Sequence, residues 1–285
     1  MTDRLPILVV VVPHLDVEIV ADLLWQAGAQ AVEEVDRGDR RELRTELGDD
    51  PMTNWAKALE RMFDTVDARS EDWFASVMFI DRAVTDTWRD YVVPIDLESI
   101  RVVPAWTTTT REQNDVLIDP GAAFGMGDHP TTRATLRLAL TRSERGETCS
   151  SVLDLGCGSG VLGIAMALRN SARIVAIDIA PAAVEATRSN AELNGVGERF
   201  VIEQGDVYTV TGTYELVLAN ILAPVLLTDC SKIAASVATG GGAVILSGFT
   251  ESRRHDIQHA YESQGLHLVN SLEVDGWFAL EMQRP

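Results

Sequence analysis

Apolar positions along the first third of the chain come in short blocks of mixed period. Leu5 to Val12 is an unbroken apolar run that Pro13 ends, which predicts a buried strand. Val17 to Gln26 carries apolar residues at helical spacing and Gly28 stops it. Ala31 to Val35 reads as a second strand, Asn54 to Phe63 as a helix and Trp73 to Ile80 as a third strand. No glycine-rich loop joins these elements, so residues 1–80 are expected to form a small α+β, ferredoxin-like domain without a catalytic constellation. Residues 81–100 read as a linker helix with Trp88 and Tyr91 as packing anchors.

From residue 101 to residue 285 the pattern changes to alternating strands and helices. Val152–Leu155, Arg173–Ile177, Phe200–Glu203, Glu215–Ala219 and Ala243–Leu246 are mostly continuous apolar runs, as strands covered on both faces must be. This predicts an α/β fold built on a doubly wound parallel sheet. Leu266 to Val274 and Trp277 to Gln283 follow as two strands around Asp275-Gly276, a tight-turn pair, so a C-terminal β-hairpin finishes the sheet. That ending points to the Rossmann-like methyltransferase variant of the fold and away from a dehydrogenase.

Chemistry gathers where strands end. Asp154-Leu155-Gly156-Cys157-Gly158-Ser159-Gly160 lies between a strand and the helix Val161 to Leu168. Glycines there let a ligand approach the backbone. Asp178 ends the next strand, 22 residues beyond Gly156, where a carboxylate can accept from both ribose hydroxyls of a nucleoside or cap the helix that follows. The loop reads G-x-G-x-G, whereas a dinucleotide requires G-x-G-x-x-G to hold its pyrophosphate. S-adenosylmethionine has no phosphate, and its ammonium suits a carboxylate such as Asp154. Asp206, after the third strand, faces the adenine amine on one reading and fills a turn on the other. Asn220 ends the fourth strand beside the first, across the switch point, where it can accept from the amine to be methylated or cap a turn. Upstream, Asp119 to Thr132 holds Phe124, Met126, Asp128 and His129 in a glycine-rich loop. Thr131 and Thr132 open the next helix, and His129 is either a general base or a residue that fixes the loop.

Composition narrows the function. Apolar residues make up 46%, enough for a large core, and 43 acids against 24 bases give a net charge of −19. An acidic surface disfavours nucleic acid, and it either attracts a basic partner or does no more than keep the protein in solution. The three cysteines match no zinc spacing, so no metal is expected, and free thiols suit a reducing, cytoplasmic setting. No apolar run spans a bilayer, so no membrane partner is expected.

Together, Val103-Pro104-Ala105-Trp106, the segment from Asp119 to Thr132, the loop at Gly156 and Asn220-Ile221-Leu222-Ala223 resemble the PrmA family of bacterial ribosomal protein L11 methyltransferases over nearly the whole chain. The resemblance implies cofactor contacts at Thr132, Gly156, Asp178 and Asn220, beside which the glycine loop itself adds Gly158. It also implies a small N-terminal domain that grips a basic ribosomal protein, methylated on lysine and N-terminal amines. Met126 and Asp128 stand where that family usually has threonine, which leaves a methyltransferase of another protein or of a small-molecule amine as the alternative. A nicotinamide-dependent dehydrogenase is the more distant one. Ser143 to Thr148 reads as a loop insertion after the helix.

Overall fold

The computed structural model describes residues 4–17, 20, 21, 24, 32–46, 73–81, 93–97, 99–107, 110–119 and 126–285. The chain divides into two compact units, Met1–Val92 and Val93–Pro285. The division falls inside the stretch read from the sequence as a linker, most of which, with Trp88 and Tyr91, lies outside the described residues, as do Asn54 to Phe63.

Among its described residues the first unit contains four antiparallel strands: β1 (Arg4–Pro13), β2 (Glu33–Asp36), β3 (Arg40–Glu46) and β4 (Phe74–Asp81), in the order β2-β3-β1-β4. Leu8, Val10 and Val12 of β1 point to one face and pack with Val20, Leu24, Leu43 and Trp73. The Trp73 indole donates to buried Asp16 at 3.0 Å. The strand β3 has no counterpart in the sequence reading. Its run RRELRTE carries one buried apolar residue, Leu43, and its charges are spent on cross-strand pairs such as Arg44 with Glu33 and Arg41 with Glu34.

The second unit opens with a three-stranded sheet, β5 (Ile95–Asp96), β6 (Arg101–Pro104) and β7 (Asp115–Ile118). A seven-stranded sheet follows, made of β8 (Ser151–Leu155), β9 (Arg173–Asp178), β10 (Phe200–Gln204), β11 (Leu216–Asn220), β12 (Ala243–Thr250), β13 (His267–Val274) and β14 (Trp277–Gln283). Its order is β10-β9-β8-β11-β12-β14-β13. The first five strands are parallel, and β14 runs antiparallel to both β12 and β13. The sheet is thus mixed, as a methyltransferase sheet closed by a hairpin should be. After β10 the chain crosses back to lay β11 on the far side of β8, so the switch point lies between β8 and β11.

Helices cover the sheet in two sets. In the first, α1 (Pro130–Glu144), α2 (Val161–Asn170) and α3 (Pro181–Leu193) pack side by side. In the second, α4 (Ala223–Thr228), α5 (Cys230–Ala235) and α6 (Glu251–Glu262) bury Leu226, Ile233, Ile257 and Tyr261 against Leu153, Val217, Val244 and Leu280 of the strands. The helix α1 ends with an Arg145-Gly146 turn, where Gly146 takes a φ of 81°. It is bolted to the hairpin by the fully buried carboxylate of Glu281, which accepts from Arg142 at 3.1 Å and Arg145 at 2.7 Å.

Candidate functional site

Three backbone segments meet at the switch point. The first is the glycine loop after β8. The Gly156 and Cys157 N–H groups both donate to the Ile177 carbonyl, at 2.8 and 3.1 Å, which folds the loop over the end of β9. Gly156, Gly158 and Gly160 all take positive φ, at 72°, 55° and 82°. A Cβ on Gly156 would run into the Ile221 side chain. The absence of a side chain there lets β8 and β11 hand over to their loops at close quarters.

Two carboxylates hold this loop. Asp178, half-buried, accepts from the Gly158 N–H at 3.0 Å and the Ala180 N–H at 2.9 Å, so it ties the loop to the start of α3. Burial raises its pKa above the ordinary carboxylate value. Asp154 is completely buried beneath the loop. Its Oδ2 accepts from the Gly163 N–H in the first turn of α2 at 2.9 Å, while Oδ1 has no hydrogen-bond partner among the described residues. Burial, reinforced by the charge of Asp178, pushes the Asp154 pKa up to about 7.

The second segment follows β11. Asn220, half-buried, donates from Nδ2 to Thr132 Oγ1 at 3.3 Å, which joins the end of β11 to the first turn of α1. The Ile221 N–H donates to the Ser247 carbonyl at 3.1 Å. Gly248, at a φ of 102°, lets β12 press against the Ile221 backbone.

The third segment is the approach to α1. Met126 is buried and Asp128 exposed, while Phe124 lies outside the described residues. His129 is the N-cap of α1: its Nδ1 accepts from the Thr131 N–H at 3.3 Å and lies 2.7 Å from Thr131 Oγ1. The ring packs edge-on against Trp277, with centroids 5.0 Å apart, and burial lowers its pKa. The loop-fixing role fits this geometry. Asp206 is exposed, and its carboxylate accepts from the Tyr208 N–H at 2.8 Å, as a turn residue does.

The structure also exposes residues that the sequence reading passed over. Asn190, buried in α3, accepts from the Asp119 N–H and donates to the carbonyls of Asp119 and Ser159, each at 2.9 Å. Asn194 pairs in the same way with the N–H and C=O of Leu117, at 2.9 and 2.7 Å. The two carboxamides dock β7 and the start of the approach segment onto α3 as a partner strand would. Their i, i+4 spacing was the available signal. Ile179, 62% exposed directly after Asp178, offers bare apolar surface at the rim of the site.

A family model described as Ribosomal protein L11 methyltransferase (PrmA) matches residues 7–285. The chain belongs to this family of methyltransferases. A ribosomal protein L11 methyltransferase of Exiguobacterium sp. is 32% identical over 302 residues, spanning 94% of this chain and 95% of that protein. One from a Geobacter species is 36% identical over 224 residues, spanning 76% and 68%. Among solved structures, ribosomal protein L11 methylase from Lactobacillus delbrueckii subsp. bulgaricus is similar with a TM-score of 0.58 at 28% identity, covering 67% of this chain and 98% of that one. Among the described residues no group of His, Cys, Asp and Glu is placed to hold a metal ion, and no helix is long and apolar enough to cross a membrane.

Proposed function

We propose that this methyltransferase uses S-adenosylmethionine to methylate lysine and N-terminal amines of ribosomal protein L11 in the cytoplasm. The observation that carries the reading is the convergence of the Gly156 loop, Asp178 and the Asn220–Thr132 pair at one switch point, in a chain related to L11 methyltransferases from end to end. The residues fit that cofactor. Gly156 and Gly158 open the backbone, Asp178 is assigned to the two ribose hydroxyls, and Ile179 to a flat base. Asp154 carries a buried carboxyl oxygen without a partner among the described residues, and the cofactor brings an ammonium. Asp206 borders the same end of the sheet and is assigned to the adenine amine. The acidic chain, at −19, suits a basic protein substrate, and the N-terminal unit, whose strand order β2-β3-β1-β4 supports the ferredoxin-like reading, is assigned to gripping it.

When bound, the cofactor supplies an electrophilic methyl group on a sulfonium. The protein's work is then mostly positional. Nδ2 of Asn220 is engaged by Thr132, so its carboxamide oxygen is the part available to accept from the substrate amine and aim the nitrogen lone pair. A lysine with an ordinary pKa of about 10.4 must first lose a proton, and a water-poor cavity favours its neutral form. No side chain is required as a strong base, and His129 keeps its structural post. Phe124, Met126 and Asp128 are assigned to the substrate side.

Intact mass spectrometry of ribosomal protein L11 incubated with the enzyme and S-adenosylmethionine tests the reading. Mass gains in whole methyl steps, lost with Asp178→Ala, are expected. Cofactor binding without any gain would move the substrate to another amine, with Met126 and Asp128 as the first residues to exchange. An inactive His129→Ala that still binds cofactor would make His129 the base after all.

A further inference from the structure

Helix α1 starts on an uncommon cap. Helices favour Ser, Thr, Asp or Asn at this position, because a short side chain with an oxygen makes the capping bond by itself. Here the cap is His129, whose ring must be turned so that Nδ1 meets the Thr131 N–H, 3.3 Å away. A ring on two side-chain torsions gains from an outside hold. The Trp277 indole stands against it, with centroids 5.0 Å apart and planes at 69°, a favoured edge-to-face geometry.

Trp277 is presented from a rigid element. It opens β14 and is paired with Thr250 of β12 on one side and Val274 of β13 on the other. Phe278, the next residue, belongs to the opposite face, in the cluster with Ile257 and Tyr261 of α6. Its carbonyl accepts from Ser247 Oγ at 2.8 Å. From the far side of His129 a line of contacts runs into the site. Thr131 Oγ1 lies 2.7 Å from Nδ1, and Thr132, its neighbour in the first turn, is 1% exposed. Thr132 Oγ1 accepts from Asn220 Nδ2 at 3.3 Å. The hairpin turn makes a second tie to this turn of α1, Asp275 with Arg133 at 3.1 Å. The Asp275 side chain is 66% exposed, so that pair contributes little.

We propose that Trp277 is a positioning residue for methyl transfer: it holds the His129 ring on the N-terminus of α1, and the capped first turn holds Thr132 against Asn220. The inference rests on the reading of Asn220 as the residue that aims the substrate amine. Without the indole the ring leaves its post, the first turn frays, and the carboxamide follows Thr132 out of line. Alignment of the amine suffers more than binding does, since the glycine loop and Asp178 stand on other elements.

Steady-state methylation of ribosomal protein L11 by the full-length Trp277→Ala, Trp277→Phe and Trp277→Ala/His129→Ser variants tests the proposal. Hydrogen exchange over residues 126–136 of the same enzymes reads the first turn without any substrate. Serine caps a helix with no aromatic neighbour, so it should make Trp277 dispensable. In Trp277→Ala, kcat should fall about tenfold, while the KM for L11 and the affinity for S-adenosylmethionine stay within about threefold. Trp277→Phe keeps an aromatic edge and should retain most of the activity. His129→Ser added to Trp277→Ala should restore kcat, and exchange in the first turn should rise in the single variant and fall back in the double. Should Trp277→Ala not fold, Trp277→Leu, apolar without a ring, takes its place. A loss that persists after His129→Ser, with a raised KM, would put Trp277 on the substrate itself and overturn the proposal. Unchanged exchange in the first turn would overturn it as well. A wild type that leaves L11 unmethylated would sink the substrate reading alone, because exchange still decides the link from Trp277 to His129.

Discussion

Replacing Asn190 with alanine should uncouple the approach segment from the glycine loop. The substitution strands the Asp119 N–H and the carbonyls of Asp119 and Ser159, three groups now satisfied at 2.9 Å by one side chain that is 1% exposed. Each buried hydrogen bond is worth about 1 kcal/mol net, more when its partner is left dry. Asp119 is half-buried, so water can relieve part of its loss, whereas Ser159 is fully buried. The expected destabilisation is about 3 kcal/mol, a large share of the roughly 5–15 kcal/mol that holds a domain together. Urea unfolding of the second unit's signal measures it, and S-adenosylmethionine affinity should fall several-fold because both sides of the site lose a shared anchor. Asn190→Asp is the sharper variant. It keeps the acceptor for the Asp119 N–H but sets a carboxylate against two carbonyl oxygens, and should be worse than alanine. An alanine variant within 1 kcal/mol of wild type, or an aspartate variant better than alanine, would refute the assignment of Nδ2 as a double donor.

Glu281→Ala should cost about 1.5–3 kcal/mol in thermal or urea unfolding, because Arg142, whose side chain is 8% exposed, loses its buried carboxylate but keeps Glu147 at 2.6 Å and the Gly241 carbonyl. By contrast, Glu185→Ala in the exposed pair with Arg188 should stay within about 0.5 kcal/mol. Gly156→Ala forces a side chain into the left-handed region and onto Ile221, and should weaken S-adenosylmethionine binding at least tenfold in a fluorescence titration. Gly146→Ala, with open space around it, should lose only about 1 kcal/mol of stability and no affinity. The pH dependence of unfolding carries a defined sign. With its pKa raised to about 7 in the folded state, Asp154 holds its proton there when the unfolded chain has lost it, so its influence makes stability fall between about pH 4 and pH 7. The fall amounts to at most about 4 kcal/mol and is complete above pH 7. Asp154→Asn should therefore gain on the wild type at pH 8 relative to pH 5, and equal urea midpoint differences at the two pH values would exclude the shift.

The strands of the large sheet were legible because burial on both faces writes continuous apolar runs, as in Val152–Leu155 and Ala243–Leu246. Their ends were less so. The strand β12 continues through Ser247-Gly248-Phe249-Thr250, since a bulge against β14 keeps pairing going past the polar residues. Strand β3 was invisible because charge pairing across neighbours, instead of apolar alternation, holds its surface. Helix α1, whose end the sequence left open, reaches Glu144, where Arg142 and Arg145 find Glu281, 139 and 136 residues away, a pairing no local pattern reveals. Glycine spacing and polar residues at strand ends made Asp154, Gly156, Asp178 and Asn220 candidates. The carboxamides of Asn190 and Asn194 escaped because their partners are backbone atoms more than seventy residues distant.

The bolt between α1 and β14 bears on how the unit comes apart. The end of α1 presents Arg142 and Arg145, which share the neighbouring Glu147 but reach the buried Glu281 only when the strand between β12 and β13 is in place. Contacts so remote in sequence form late and slowly. They also forbid α1 from leaving by itself, since its departure would orphan Glu281 inside the sheet. The amide hydrogens of α1 should therefore exchange only through openings as large as those that free the central strands, which makes the substrate side of the site, ordinarily the loosest part of an enzyme, as durable as its core.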